Sequence, residues 1–161
     1  MANFQLTVNT QPSPAVEGDF ASANPRRSML AGEGALIAGA SGVTVGRFAW
    51  ALNATGIVTN AKPADPARVG FVGRNQPVVI TGWLEGDSMV LTEGLEITLA
   101  DGGDFWCRFA APAAVGQKVF VTDATGLAIA GDAGDTIAGA TETAWSIQST
   151  ALAGELAKIT A

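Results

Sequence analysis

The chain has 161 residues and a formal net charge of −6, divided unevenly: residues 1–84 carry four acids and six bases, residues 85–161 eleven acids and three bases, which argues against a basic surface for nucleic acid. It contains no histidine, so the commonest general base and metal ligand is missing and Ser-His-acid and Cys-His nucleophile systems are excluded. Its one cysteine, Cys107, rules out an internal disulfide and any Cys-based zinc site, and its 20 glycines and 7 prolines amid abundant apolar residues favour short strands and turns over long helices.

At the N-terminus, "ANFQLTV" (2–8) reads as a strand, separated from the rest by "QPSP" (11–14). Prolines at 12, 14 and 25 prevent a regular helix over residues 11–27. In "EGDFASANPRR" (17–27) the apolar residues follow neither a helical nor a strand period. Such a segment is either a loose tail or an arm that orders against something outside its own domain. We therefore divide the chain into an extended N-terminal arm, 1–30, and a β-domain, 31–161.

From residue 35 the pattern becomes strand, turn, strand. "ALIAG" leads through "ASG" to "VTVGRFAW" (43–50), read as one strand with Val43, Val45 and Arg47 on one face and Phe48 and Trp50 on the other. "ATGIVTN" closes that unit, and "AKPADPA" (61–67) links it to "RVGFVG" and "PVVITGW" (77–83). Two short strands are expected in "MVLTEGLEITLADGG", then one each in "DFWCRFA" (104–110), "QKVFVT", "LAI" and "TAWSIQ". "TALAGELAK" (150–158) has helix-favouring composition, but its context points to a last strand, "ELAKIT". Short β-runs separated by Gly/Asp turns every 8–12 residues or so indicate an all-β fold: a small β-barrel or β-sandwich, with a jelly roll among the options.

No enzyme signature survives inspection. Asp101/Asp104 and Asp132/Asp135 lack the alternating oxygen ligands of a calcium loop and read as turn residues beside glycine. "GEGALIAGASG" lacks the Lys-Ser/Thr of a phosphate-binding loop. Cys107, flanked in alternation by Phe105 and Phe109, reads as a buried structural thiol. We expect no metal, no cofactor and no membrane partner. No signal peptide is evident and no apolar run reaches membrane-spanning length, so the chain reads as a protein of a reducing compartment. Trp50, Trp83, Trp106 and Trp145 each fall in an expected strand. Tryptophans in this setting fill a core or an oligomer interface, or else stack on sugars.

Five blocks carry a resemblance: "GDFASANPR" (18–26), "GVTVGRFAW" (42–50), "GDFWCRFA" (103–110), "GQKVFV" (116–121) and "AGELAKIT" (153–160). Together, and in this order, they resemble the structural cement, or capsid decoration, proteins of tailed bacteriophages. The resemblance implies a non-enzymatic protein, made in the bacterial host cytoplasm, that sits on the outer surface of the virion. It would bind the expanded head at junctions between major capsid protein subunits, as a homodimer or homotrimer, and stabilise the head against internal DNA pressure. On this view Phe20, Asn24, Pro25, Arg26 and Arg27 form a capsid-binding arm, with Phe20 an apolar anchor and the arginines partners for capsid carboxylates. The four tryptophans motivate the alternative, a carbohydrate- or receptor-binding β-domain of a phage tail or fibre.

Overall fold

The computed structural model describes residues 15–76 and 89–161. The expected strands at 2–8 and 77–83, and with the latter Trp83, lie outside the described residues.

Thirteen strands and no helix occur among the described residues. In chain order they are β1 (Arg27–Ser28), β2 (Ile37–Ala38), β3 (Val43–Thr44), β4 (Phe48–Leu52), β5 (Ile57–Thr59), β6 (Ala67–Val72) and β7 (Val90–Leu91). They continue with β8 (Leu99–Gly102), β9 (Asp104–Arg108), β10 (Lys118–Thr122), β11 (Ala128–Gly131), β12 (Ala140–Ile147) and β13 (Leu156–Thr160). A six-stranded sheet runs β1-β8-β6-β4-β5-β2, a five-stranded sheet runs β11-β10-β12-β13-β9, and β3 and β7 form a small ribbon. Pairing is antiparallel except between β2 and β5. The fold is all-β, and the C-terminal segment is the strand β13 rather than a helix.

The two large sheets face each other over one core. Phe48, Trp50 and Phe71 from the six-stranded sheet meet Phe105, Cys107, Val121, Trp145, Ile147 and Ile159 from the five-stranded one. A second core lies on the other face of the six-stranded sheet, where Ala49, Ala51, Val58, Val72 and Leu99 pack against Val43, Val45 and Leu91. The six-stranded sheet is therefore buried on both faces, which accounts for the unbroken apolar run of β4, Phe-Ala-Trp-Ala-Leu. Large side chains point to the first core and alanines to the second.

This layering corrects the reading of residues 43–50 as a single strand. A turn at Val45 and Gly46 separates β3 from β4, because one straight strand cannot belong both to the ribbon and to the sheet beneath it. Between β8 and β9 only Gly103 intervenes, and there the chain passes from one large sheet to the other. Its φ of 123° lies where residues with a Cβ are strained, and an added Cβ would stand 3.0 Å from Arg26 Cγ. That corner brings the segment before β1 onto the domain.

Candidate functional site

Residues 16–28 form a strap along the β9 edge of the five-stranded sheet and the β8 edge of the six-stranded sheet. Gly18 N–H donates to the Trp106 carbonyl (2.8 Å), Trp106 N–H to the Asp19 carbonyl (2.9 Å) and Ala21 N–H to the Asp104 carbonyl (3.0 Å). The strap thus adds a short sixth line to the five-stranded sheet, with Phe20 bridged to Phe105. Further on, β1 pairs Arg27 with Gly102 and Ser28 with Ala100.

Side chains complete the attachment. Glu17 pairs with Arg108 at 2.7 Å, Asp19 with Arg74 at 3.6 Å and Arg27 with Asp101 at 2.8 Å. Asp104 accepts three hydrogen bonds, from Ser22 Oγ (2.5 Å), Asn24 Nδ2 (2.6 Å) and Thr160 Oγ1 (2.5 Å). An aromatic contact joins Phe20 to Phe105, with ring centroids 5.5 Å apart. Two shallow recesses on the resulting surface adjoin the arm residues 22–27. One, of about 200 Å³, lies between Phe20, Arg26, Arg27, Asn75 and Thr98. The other, of about 400 Å³, lies between Ser22, Asn24, Asp104, Gln148 and Lys158.

The residues singled out for the arm are thus brought together on one exposed face. Phe20 keeps 39% of its surface exposed, and the Arg26 guanidinium stacks over its ring at 3.7 Å. Among the described residues Arg26 has no carboxylate partner, whereas Arg27 is engaged by Asp101. Asn24 is tied to Asp104, and Pro25 is exposed between Asn24 and Arg26. The tryptophans separate into two kinds. Trp50 (2% exposed) and Trp145 (3%) are core residues and are not available to stack on a sugar. Trp106 is half-buried on the outer face of β9, with Lys158 Nζ 5.2 Å from its ring.

The reading of Asp101 and Asp104 as turn residues is corrected: both lie in strands and both hold the strap. Asp132 and Asp135 do close a turn, where Asp132 N–H donates to Asp135 Oδ2. Cys107 is fully buried, and desolvation, reinforced by the Glu17 charge, pushes its thiol pKa well above the usual range. Burial there disfavours a nucleophilic thiolate.

Hydrogen bonds from Ser22 and Thr160 hold the Asp104 carboxyl below its usual pKa, against a smaller opposing effect of burial. A depressed folded-state pKa contributes stability above the unfolded value, near 3.8, and that contribution is lost as pH falls through the folded value. Asp104→Asn is therefore expected to cost about 1 kcal/mol at pH 7, a figure discounted for solvent screening. The difference from the unsubstituted chain should shrink steadily below about pH 4. Urea unfolding at several pH values checks this, and a pH-independent difference would remove Asp104 as the charged hub.

Against known proteins, the chain matches the family model described as XM1 gp53 minor capsid protein over residues 4–161. The chain belongs to the XM1 gp53 minor capsid protein family. It is accordingly a structural, capsid-associated protein of a bacteriophage, and its place is the virion. A chain in the solved structure "The capsid of Myoviridae Phage XM1" shares the fold, with a TM-score of 0.68 at 17% identity, over 99% of this chain and 97% of that one. No curated protein matches. Within this family member, local sequence could not reveal that Glu17 meets Arg108, a partner 91 positions away.

Proposed function

We propose that this protein is a capsid decoration, or cement, protein that binds the outside of the expanded head. It would sit at junctions between major capsid protein subunits, as a homodimer or homotrimer, and hold the head against the outward pressure of packaged DNA. The observation that carries the reading is the strap's outer face in a member of a minor capsid protein family. Phe20 and Arg26 form an apolar and cationic platform with no carboxylate paired to Arg26 among the described residues. Asn24 and Pro25 stand beside it on backbone already fixed to the domain.

Such a platform suits an acidic, partly apolar partner surface. The guanidinium is oriented before contact, so little side-chain entropy is lost on binding. A ligand that engages the expanded lattice and not its compact precursor stabilises the expanded form by mass action. Several weak contacts suffice when an oligomer engages several sites at once. Catalysis, metal and cofactor have no part in this reading, and the protein would be made in the host cytoplasm.

Co-sedimentation with expanded and unexpanded heads of its own phage tests it. Saturable binding to expanded heads alone is expected, weakened about tenfold or more by Phe20→Ala or Arg26→Glu. Equal binding by the Arg26→Glu chain would take the strap out of the interface. Binding to neither form of head would overturn the decoration reading.

A further inference from the structure

The strap is attached almost wholly by contacts that do not require it to belong to the same chain. Its residues 22–28 are all exposed, and each of its ion pairs joins partly exposed side chains. Its backbone bonds run to Trp106 and Asp104 on the β9 edge, to Arg74, whose N–H donates to the Gly18 carbonyl (2.8 Å), and to Leu99 at β8 through Met29 N–H (2.7 Å). Beyond Met29 the chain runs to β2 through largely exposed residues. Leu30 is 83% exposed, and Gly32 and Gly34 have no neighbour within 4 Å of an added Cβ. Arg68 Nη1 donates to the Leu30 carbonyl at the start of this connection, and Ile97 N–H to the Leu36 carbonyl at its end.

The β9 edge without its strap would present unpaired Asp104 and Trp106 backbone groups, the Phe105 ring, and the charges of Asp101, Asp104, Arg74 and Arg108. An edge of that kind takes up an extended segment that supplies backbone pairing and matching side chains. One segment known to fit is the strap itself. Glu17 answers Arg108, Asp19 answers Arg74, Phe20 answers Phe105, Ser22 and Asn24 answer Asp104, and Arg27 answers Asp101. We infer that a second copy of this chain is the partner for that edge: its strap replaces the resident one, so that neighbouring subunits are joined by exchanged straps. Every bond broken on opening is remade in the partner, which makes exchange of an identical element a low-cost route to association. The inference deepens the self-association part of the function proposed above and needs no capsid to be tested.

The test uses two full-length chains, one isotopically heavy. The light chain carries Ser28→Cys and the heavy chain Ala100→Cys, positions directly opposite each other in the β1–β8 pairing and lining one recess, while Cys107 remains buried. After mixing at high concentration and mild oxidation, mass spectrometry counts two kinds of disulfide: heavy–light, and light–light through the substituted strap position. Heavy–light disulfides should exceed light–light ones about tenfold or more, a preference set by local concentration at the docked edge. Heavy–light pairs no more frequent than light–light pairs would overturn exchange. A single chain carrying both substitutions should close the disulfide within itself when dilute, and failure to do so would refute the docked strap and the exchange with it. Light scattering on the unsubstituted chain separates the two readings: a dimer or trimer without heavy–light linkage keeps self-association and removes exchange.

Discussion

Trp145→Ala is expected to destabilise the protein by about 3–5 kcal/mol, a large share of the stability of a domain this size. Trp145 is 3% exposed and projects from β12 into the space between the two large sheets. Its ring lies 5.9 Å from Phe48, 6.0 Å from Phe71 and 5.9 Å from Phe105, centroid to centroid. The first two phenyls belong to the six-stranded sheet and the third to the five-stranded one, so one indole touches both layers. Truncation removes a large apolar surface, two edge-to-face ring contacts and one tilted one, and four separate strands cannot close the space without shifting together. Trp106→Ala is the internal control: its ring is half-buried on the outer face, and its loss should cost about 1 kcal/mol or less. Urea unfolding followed by far-UV circular dichroism measures both. Equal costs would mean that the inter-sheet core is not organised around Trp145.

The same contrast shows what could and could not be read in the sequence. Period-two alternation in Phe105, Cys107 and Phe109 marks β9 and its buried face correctly, because that strand is covered on one side and outward-facing on the other. β4 does not alternate in that way: it is buried on both faces, and only the size difference between Phe48/Trp50 and Ala49/Ala51 betrays two different cores. The division of 43–50 into β3 and β4 depends on a third layer that no local pattern announces. The strap was legible as an irregular segment, but its partners were not. Pairs such as Arg27–Asp101 and Ser22–Asp104 span 74 and 82 positions. Aspartate next to glycine has the same local look whether it caps a turn or anchors a distant strand.

The decoration role proposed above would need the layers to move as one body, and the turn between β10 and β11 is one place where backbone hydrogen bonds tie the two large sheets. Gly126→Ala is expected to cost several kcal/mol there. Gly126 has a φ of 70°, and its carbonyl accepts the Phe48 N–H from β4 at 2.9 Å. The Phe48 carbonyl in turn accepts Asn60 Nδ2 at 2.9 Å, and Lys62 N–H reaches the Asp123 carbonyl at 2.7 Å. A Cβ at 126 would lie 2.1 Å from the Phe48 carbonyl oxygen, a backbone atom held at the sheet's centre that cannot rotate away. Gly134 provides the comparison. Its φ of 83° imposes the same left-handed strain, but nothing lies within 4 Å of an added Cβ. Gly134→Ala should therefore show the conformational cost alone, about 1 kcal/mol. The excess of Gly126→Ala over Gly134→Ala in urea unfolding isolates the steric cost of parting the sheets. If the two substitutions cost the same, the turn does not press on β4 and the sheets are joined by their side-chain core alone. If the excess is large, the variant should also bind heads less well, because the strap rides on β9 in one sheet and β8 in the other and its geometry depends on how the two are set against each other.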